Sequence, residues 1–184
     1  MRQAPPKISV CIVTYNHERY IADCLLSVLA QSYDGALEIL VGNDCSTDST
    51  AEEILKIEQR FPGRITNVVR ERNMGSNRNC QDLVARATGD YVALVDGDDY
   101  WLPSKLAMQF NFLAGHPDCL AVYSNAAVVD DTGTLLGCFN NPQPSSFDMR
   151  YLLSTGNFLN LSSTLFRASQ RQLFLGLGDN FIDY

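Results

Sequence analysis

An α/β fold built on a mostly parallel sheet is predicted by three observations. Short apolar, β-branched runs alternate along the chain with stretches of helical period. Three of these runs stop in a polar cluster, as parallel strands do where they open into ligand-bearing loops. The spacing between successive runs leaves room for one crossover helix each, the signature of βαβ units.

The first run, Ile8 to Thr14, reads as a buried strand ending in Thr14-Tyr15-Asn16. Ile21, Cys24, Leu25, Val28 and Leu29 then recur with the period of an amphipathic helix. Leu37 to Gly42 is a second strand, broken by the polar segment Asn43 to Asp48. Ser49 with Glu52, or Thr50 with Glu53, offers a capping box for a helix reaching about Arg60. Pro62-Gly63 punctuates, and Ile65 to Val69 is a weaker third strand. Cys80, Leu83, Val84 and Ala87 mark a third helical face, which Gly89 is expected to end. Tyr91 to Val95 is the fourth strand and runs into Asp96-Gly97-Asp98-Asp99. Pro103 suits the first turn of a helix carrying Leu106, Phe110 and Leu113. Leu120 to Val129 reads as one strand, and Asp130-Asp131-Thr132-Gly133 as the turn of a hairpin returning through Leu135 and Leu136. A small antiparallel portion is therefore expected towards the C-terminus.

A chain of 184 residues with 46% hydrophobic and 19% charged residues fits one folded domain, spanning 1–184. Its net charge of −7, from 14 basic against 21 acidic residues, argues against a nucleic-acid partner, whose affinity comes largely from Lys and Arg on phosphates. An acidic protein that handles phosphate needs a metal ion or a local basic patch. The longest apolar runs fall far short of the roughly 20 residues that span a bilayer. The six cysteines show no metal-ligand spacing and read as reduced, mostly buried thiols, which favours the cytoplasm or the inner face of the membrane.

The acidic turn is the sharpest chemical signal. Three carboxylates within four residues, Asp96, Asp98 and Asp99, repel one another by a few kcal/mol unless a cation or protons intervene. Oxygen ligands suit a hard divalent ion, Mg²⁺ or Mn²⁺, that keeps positions open for substrate phosphate oxygens. The competing reading is a solvated turn that caps the following helix. Asp44 by itself reads equally as an Asx-turn residue, and Tyr15 as a core aromatic. In the functional reading Tyr15 offers a flat face to a nucleobase, with Asn16 and Asp44 contacting its edge or the ribose. Arg70, Arg72 and Arg78 offer positive charge for a diphosphate, or simply an exposed basic loop. If the sheet is parallel, the clusters after strands one, two and four converge on one rim.

Several stretches carry a family resemblance. Ser9 to Asn16 (SVCIVTYN) resembles the opening strand of glycosyltransferase family 2, and Gly42 to Asp48 (GNDCSTD) is similar to its V-D-D-G-S-T-D segment. Asn43 stands where that segment has its first Asp, and Cys45 where it has Gly. Asn73-Met74-Gly75 with Asn79, then Ala87 to Tyr91 (ATGDY), resemble its N-x-G and A-x-G-[ED]-Y stretches. Asp96-Gly97-Asp98-Asp99 matches the D-x-D-D form of its metal motif. Leu161 to Arg167 (LSSTLFR) looks like a segment that precedes its catalytic carboxylate.

The resemblance implies a GT-A fold: a Rossmann-like, mostly parallel sheet flanked by helices, with a small antiparallel C-terminal portion. It divides the domain into a nucleotide-sugar and metal half, 1–100, and an acceptor-side half, 101–184. Tyr15 and Asp44 are then expected to hold the nucleoside and Asp98 to face the ribose or metal-bound phosphate, beside the candidate contacts Thr14, Asn16 and, for the diphosphate, Arg78 that the residues themselves suggest. Asp96 would support the turn, and Asp99, with Asp98, would ligate Mn²⁺ or Mg²⁺. The general base would be Asp179, which follows Gly178, or its rival Asp183. The family continues past such a carboxylate, so the chain is expected to be an enzyme truncated at its C-terminus, and such a truncation could leave it inactive for want of the next helix.

The implied reaction is inverting transfer of a sugar from a nucleoside-diphosphate donor, a UDP-sugar first, to a hydroxyl of a saccharide or lipid-linked acceptor in cell-surface polysaccharide or glycoconjugate synthesis. The alternatives are a non-catalytic nucleotide-sugar-binding domain and a metal-dependent phosphotransferase or phosphatase. The last would want an activated Asp with Thr/Ser and Lys partners, a pattern not found here.

Overall fold

The computed structural model describes residues 5–156 and 158–176. Its main sheet is formed by β1 (Ile8–Thr14), β2 (Leu37–Asn43), β3 (Ile65–Val69), β4 (Tyr91–Asp96), β5 (Ala121–Val122) and β8 (Leu165–Arg167), in the order β3-β2-β1-β4-β8-β5. The first four are parallel, whereas β8 runs antiparallel to both β4 and β5. A separate antiparallel ribbon pairs β6 (Ala127–Val129) with β7 (Leu135–Cys138). The helices are α1 (Ile21–Leu29), α2 (Thr50–Arg60), α3 (Ser76–Arg86), α4 (Lys105–Gly115), α5 (Met149–Thr155) and α6 (Arg171–Leu175). Among the described residues no helix is long and apolar enough to cross a membrane.

Alternation along the strands sorts the core into two layers. Ile8, Val10 and Ile12 of β1, with Ile39, Val41, Ala93 and Val95, face α1, α2 and α4 through Leu25, Val28, Ile54, Leu106 and Leu113. Cys11, Val13, Leu40, Val92 and Leu94 face the other way, onto Cys80, Leu83 and Val84 of α3. Because both faces are covered, β1 is buried along its whole length, which is why it reads as a continuous apolar run.

Below the sheet, Glu38 ties the N-terminal ends of the strands together. Its carboxylate accepts from Lys7 Nζ at 2.9 Å, the Thr88 N–H at 2.8 Å, the Thr88 hydroxyl at 2.7 Å and the Ser9 hydroxyl. Burial pushes this carboxyl up, but the hydrogen bonds from Ser9, Thr88 and Lys7 outweigh it and hold it at about 2.

Several local expectations are corrected. The helix after Asp48 has no capping box: neither the Ser49 nor the Glu52 side chain closes one, because neighbours satisfy the first turn instead. Asp48 Oδ1 accepts the Thr50 N–H at 3.0 Å, and Glu18 Oε2 accepts the Ser49 N–H at 2.9 Å. Gly89 lies past the end of α3, whose C-cap is Ala87. Its requirement is close approach, since a Cβ there would come within 2.7 Å of Ser9 N and 2.9 Å of Lys7 O. Pro103 sits in the turn before α4, with Ser104 as the N-cap. The stretch from Leu120 to Val129 is two strands in different sheets, because β5 pairs with β8 while β6 leaves to form the ribbon. The hairpin returns as expected, and its turn is tied back to the start of α1: Asp131 accepts from the Tyr20 hydroxyl at 3.0 Å and from Arg19 at 3.1 Å.

Candidate active site

The chain lays β2 and β3 on one side of β1 and then places β4 on the other, so the connections diverge between β1 and β4. A crevice at the carboxyl ends of two such strands is where open α/β sheets bind ligands. Register brings the three polar clusters to one level: Val13 pairs with Asp96, and Thr14 pairs with Asn43. Backbone bonds lock them, Gly97 N–H to Val13 O at 2.7 Å and Asp44 N–H to Thr14 O at 2.9 Å.

Tyr15 leaves the end of β1 with 42% of its surface exposed, so it is no core aromatic and its ring is available at the rim. Asn16 follows at φ 56°, a left-handed conformation that Asn tolerates better than most residues. Its Oδ1 accepts the Thr47 N–H at 2.8 Å and its own N–H donates to Ser46 Oγ at 3.0 Å, so it clamps the first loop to the second. In that second loop Cys45 adopts φ 62°, the left-handed turn for which the family pattern uses Gly. Asn43 supplies the Asx-turn, accepting the Ser46 N–H at 3.1 Å and the Ser46 hydroxyl at 2.6 Å.

Asp44 is 2% exposed, and both its oxygens are engaged. Oδ1 accepts the Met74 N–H and Oδ2 the Gly75 N–H, each at 2.8 Å. Its carboxylate therefore holds the loop that starts α3. The same helix is pinned to β2 by Asn79, whose Nδ2 donates to Gly42 O at 2.6 Å. Arg70 is corrected from the expected diphosphate group: only 7% of its side chain is exposed, and it pairs with Asp82 at 2.7 Å and Asn79 at 3.0 Å. Arg72 and Arg78 are exposed, Arg78 on the first turn of α3.

The acidic turn closes through the Asp99 N–H to Asp96 O at 3.0 Å. Gly97 is required within it, because a Cβ would stand 2.6 Å from Thr14 Oγ1 and 2.9 Å from His17 Nδ1. Those two atoms are buried without a hydrogen-bond partner among the described residues. Asp98 is half exposed, with His17 Nε2 3.9 Å away. Asp96 is pushed up to about 6, by burial first and then by Asp98 and Asp99. Asp99 is likewise raised, by burial and by Asp98, against the lowering influence of the Ser162 hydroxyl and His17.

Sequence reasoning gave Ser162 no role. Its Oγ accepts the Asp96 N–H at 3.0 Å and lies 3.4 Å from Asp96 Oδ2, so the segment leading into β8 braces the acidic turn. Trp101 Nε1 donates to Ser162 O at 2.7 Å and Gln109 to Ser163 O at 2.6 Å, which ties that segment to α4. No motif signals this contact, because it depends on β8 entering the sheet antiparallel beside β4. Asp179 and Asp183 lie outside the described residues.

The donor set fits a hard divalent cation: carboxylates that crowd one another, two of them accessible, with no ion pair among the described residues closer than the 3.9 Å approach of His17 to Asp98. Among the described residues no three potential ligands gather around one point, so such an ion would keep positions for water or phosphate oxygens. Without a cation, the buried Asp96 charge costs stability. Its proton is lost near pH 3.8 in the unfolded chain and near 6 in the folded one. Metal-free stability is thus expected to fall between those values as pH rises, by roughly 2–3 kcal/mol, and to stay lower above them. Denaturation of Asp96→Asn in chelator should lack that decline; an unchanged pH profile would refute it.

The chain is similar to known sugar transferases. The sequence profile described as glycosyl transferase family 2 matches residues 9–169. A putative teichuronic acid biosynthesis glycosyltransferase, TuaG of Bacillus subtilis, is 34% identical over 144 residues, covering 78% of this chain and 56% of TuaG. Among solved structures, the mannosyltransferase PcManGT from Pyrobaculum calidifontis, in complex with GDP-Man and Mn²⁺, is 27% identical with a TM-score of 0.59, over 68% of this chain and 36% of that one. S. aureus TarS 1-349 in complex with UDP-GlcNAc is similar in fold, with a TM-score of 0.63 at 22% identity, over 90% of this chain and 46% of that one. The chain spans 30% to 56% of the length of curated relatives such as TuaG.

Proposed function

Because the chain belongs to glycosyl transferase family 2, with the GT-A fold of its structural neighbours, we propose that it binds a nucleoside-diphosphate sugar in the crevice between β1 and β4 and serves its inverting transfer to an acceptor hydroxyl. The observation that carries this reading is the register that aligns Tyr15, Asp44 and the acidic turn at one rim. The exposed ring of Tyr15 takes the nucleobase, with Thr14 and Asn16 shaping the loop around it. Asp44 acts by holding the Met74–Gly75 backbone beneath the ribose, and Arg78 lies on the helix turn facing the diphosphate. Asp99 and Asp98 hold Mn²⁺ or Mg²⁺, and a cation there supplies Lewis-acid stabilisation for charge growing on the departing diphosphate.

The acceptor oxygen forms its bond to the anomeric carbon as the bond to the diphosphate oxygen breaks, with inversion. The hydroxyl proton passes to Asp179 or Asp183, a general-base role worth about 10²- to 10⁴-fold. The likeness to a putative teichuronic acid biosynthesis glycosyltransferase supports a place in polysaccharide synthesis. Calorimetric titration with UDP, and with GDP in parallel, is expected to give binding that strengthens at least tenfold when Mn²⁺ is present. Absence of metal-dependent binding of either nucleotide would reject the reading.

A further inference from the structure

At the last residue of β4 a side chain takes the place of a strand carbonyl. The Leu94 N–H donates to Thr164 O at 3.2 Å, as in a ladder, but two residues on the Asp96 N–H finds the Ser162 hydroxyl instead. That hydroxyl also lies 3.4 Å from Asp96 Oδ2 and lowers the Asp99 carboxyl. It stands between the acid that supports the turn and one that is exposed on it. Its place depends on the single 3₁₀ turn that carries it, Leu161–Ser163. Two buried carbonyls of this stretch point to α4 and take side-chain donors, Ser162 O from Trp101 Nε1 at 2.7 Å and Ser163 O from Gln109 Nε2 at 2.6 Å.

Both donors are set by one residue. Lys105 lies four positions after Trp101 and four before Gln109, the spacing at which helical side chains meet. Its Nζ stands 3.9 Å from the centre of the Trp101 ring and donates to Gln109 Oε1 at 2.9 Å. By occupying Oε1 it turns the NH₂ end of the Gln109 amide towards Ser163 O, and by lying on the indole face it fixes the plane from which Nε1 reaches Ser162 O. Stability does not explain this amine. Among the described residues no carboxylate pairs with it, and burial alone pushes it down to about 7. A methionine would fill the same space without that cost. Protonated or neutral, the amine keeps an N–H for Gln109.

We propose that Lys105 and Gln109 are positioning residues for the acidic turn. Through Trp101 and the Ser162–Ser163 backbone they keep the Ser162 hydroxyl between Asp96 and Asp99, and so set the geometry in which Asp99 and Asp98 receive a divalent cation, given the metal role that the transferase reading assigns to those acids. Residues that orient metal ligands from behind are worth about 10- to 100-fold in metal affinity. Lys105 and Gln109 act one step further out, through Ser162, so the lower end of that range applies.

Lys105→Met and Gln109→Glu test this in the intact chain. The first removes the amine with little change of volume, and the second gives the amine a carboxylate but sets an oxygen against Ser163 O. In both, the Mn²⁺-dependent gain in nucleotide affinity, read by calorimetry with UDP and GDP, should shrink by about fivefold or more. Affinity without metal should stay within about twofold, and the thermal midpoint of Lys105→Met should hold or rise. In the metal-free chain the Asp96 N–H, whose acceptor is Ser162 Oγ, should exchange about tenfold faster with solvent. If Gln109→Glu does not fold, Lys105→Met decides alone. A metal-dependent gain within twofold of the parent, or unchanged Asp96 exchange, would overturn the proposal. So would a lowered midpoint with affinity lost equally with and without Mn²⁺, the mark of a merely structural role. A parent chain with no Mn²⁺-dependent gain would sink the transferase reading, and Asp96 exchange in Lys105→Met would still decide whether Lys105 holds the Ser162 hydroxyl in place.

Discussion

Replacing Asp99 by Ala is expected to erase the Mn²⁺-dependent part of nucleotide affinity, a loss of about 100-fold or more. Among the described residues the crevice offers no third carboxylate to take over, because Asp96 is partly buried and turned towards Ser162, and His17 faces Asp98 rather than replacing it. A cation left with Asp98 as its main protein ligand loses one of two charge-bearing contacts, and 100-fold corresponds to about 2.7 kcal/mol. The fold itself should not suffer. Asp99 is at the exposed edge of the turn, and removing its charge relieves Asp96, so metal-free thermal stability should hold or rise. Paired titrations of UDP with and without Mn²⁺ measure the effect. A variant that keeps its metal-dependent increment within threefold would mean that the acidic turn is a solvated loop.

Asp44→Ala should do the opposite, damaging the structure first and ligand binding as a consequence. Its carboxylate is buried and gives the Met74 and Gly75 N–H groups their acceptors. Deleting it strands the Met74 N–H beside the crevice and leaves the Gly75 N–H only its second acceptor, Asn73 Oδ1 at 3.0 Å, and hydrogen bonds to a charged acceptor are worth about 1.5–3 kcal/mol each. A fall of about 2–4 kcal/mol is expected in urea denaturation, with faster hydrogen exchange at Met74 and Gly75. Asp44→Asn keeps one acceptor oxygen but sets an NH₂ against the other N–H, so it should recover less than half of the loss. Nucleotide affinity should fall in both, with or without Mn²⁺, which separates this mechanism from the metal-specific loss at Asp99. An unchanged urea midpoint in the Ala variant would show that the loop does not depend on this residue.

The two acids illustrate what could be read before the fold was known. Both stand in polar clusters after apolar runs, and from the sequence both look like ligand contacts. In the structure Asp44 is a buried brace for the Met74–Gly75 backbone, while Asp99 is exposed at the rim beside the Ser162 hydroxyl, a difference made by partners distant in the chain. Arg70, from the sequence a candidate diphosphate contact, is consumed by Asp82 and Asn79 in the structure. Cys45 was legible only as a departure from the family's Gly, and its left-handed backbone conserves the turn that the Gly would make. Ser162, the Glu38 tie and the split of Leu120 to Val129 into two sheets carry no local pattern at all.

By itself the sequence determined the strands and helices of the first two thirds, the parallel class of the sheet and the rim where the polar clusters gather. Those follow from side-chain period and from the burial of both sheet faces, which are properties of a few neighbouring residues. Only the tertiary structure decided which acids brace loops and which stay at the rim, and how the antiparallel β8 carries Ser162 to the acidic turn. A hydrogen bond or a desolvated charge depends on what the crossovers bring within about 3 Å, and no spacing along the chain encodes that.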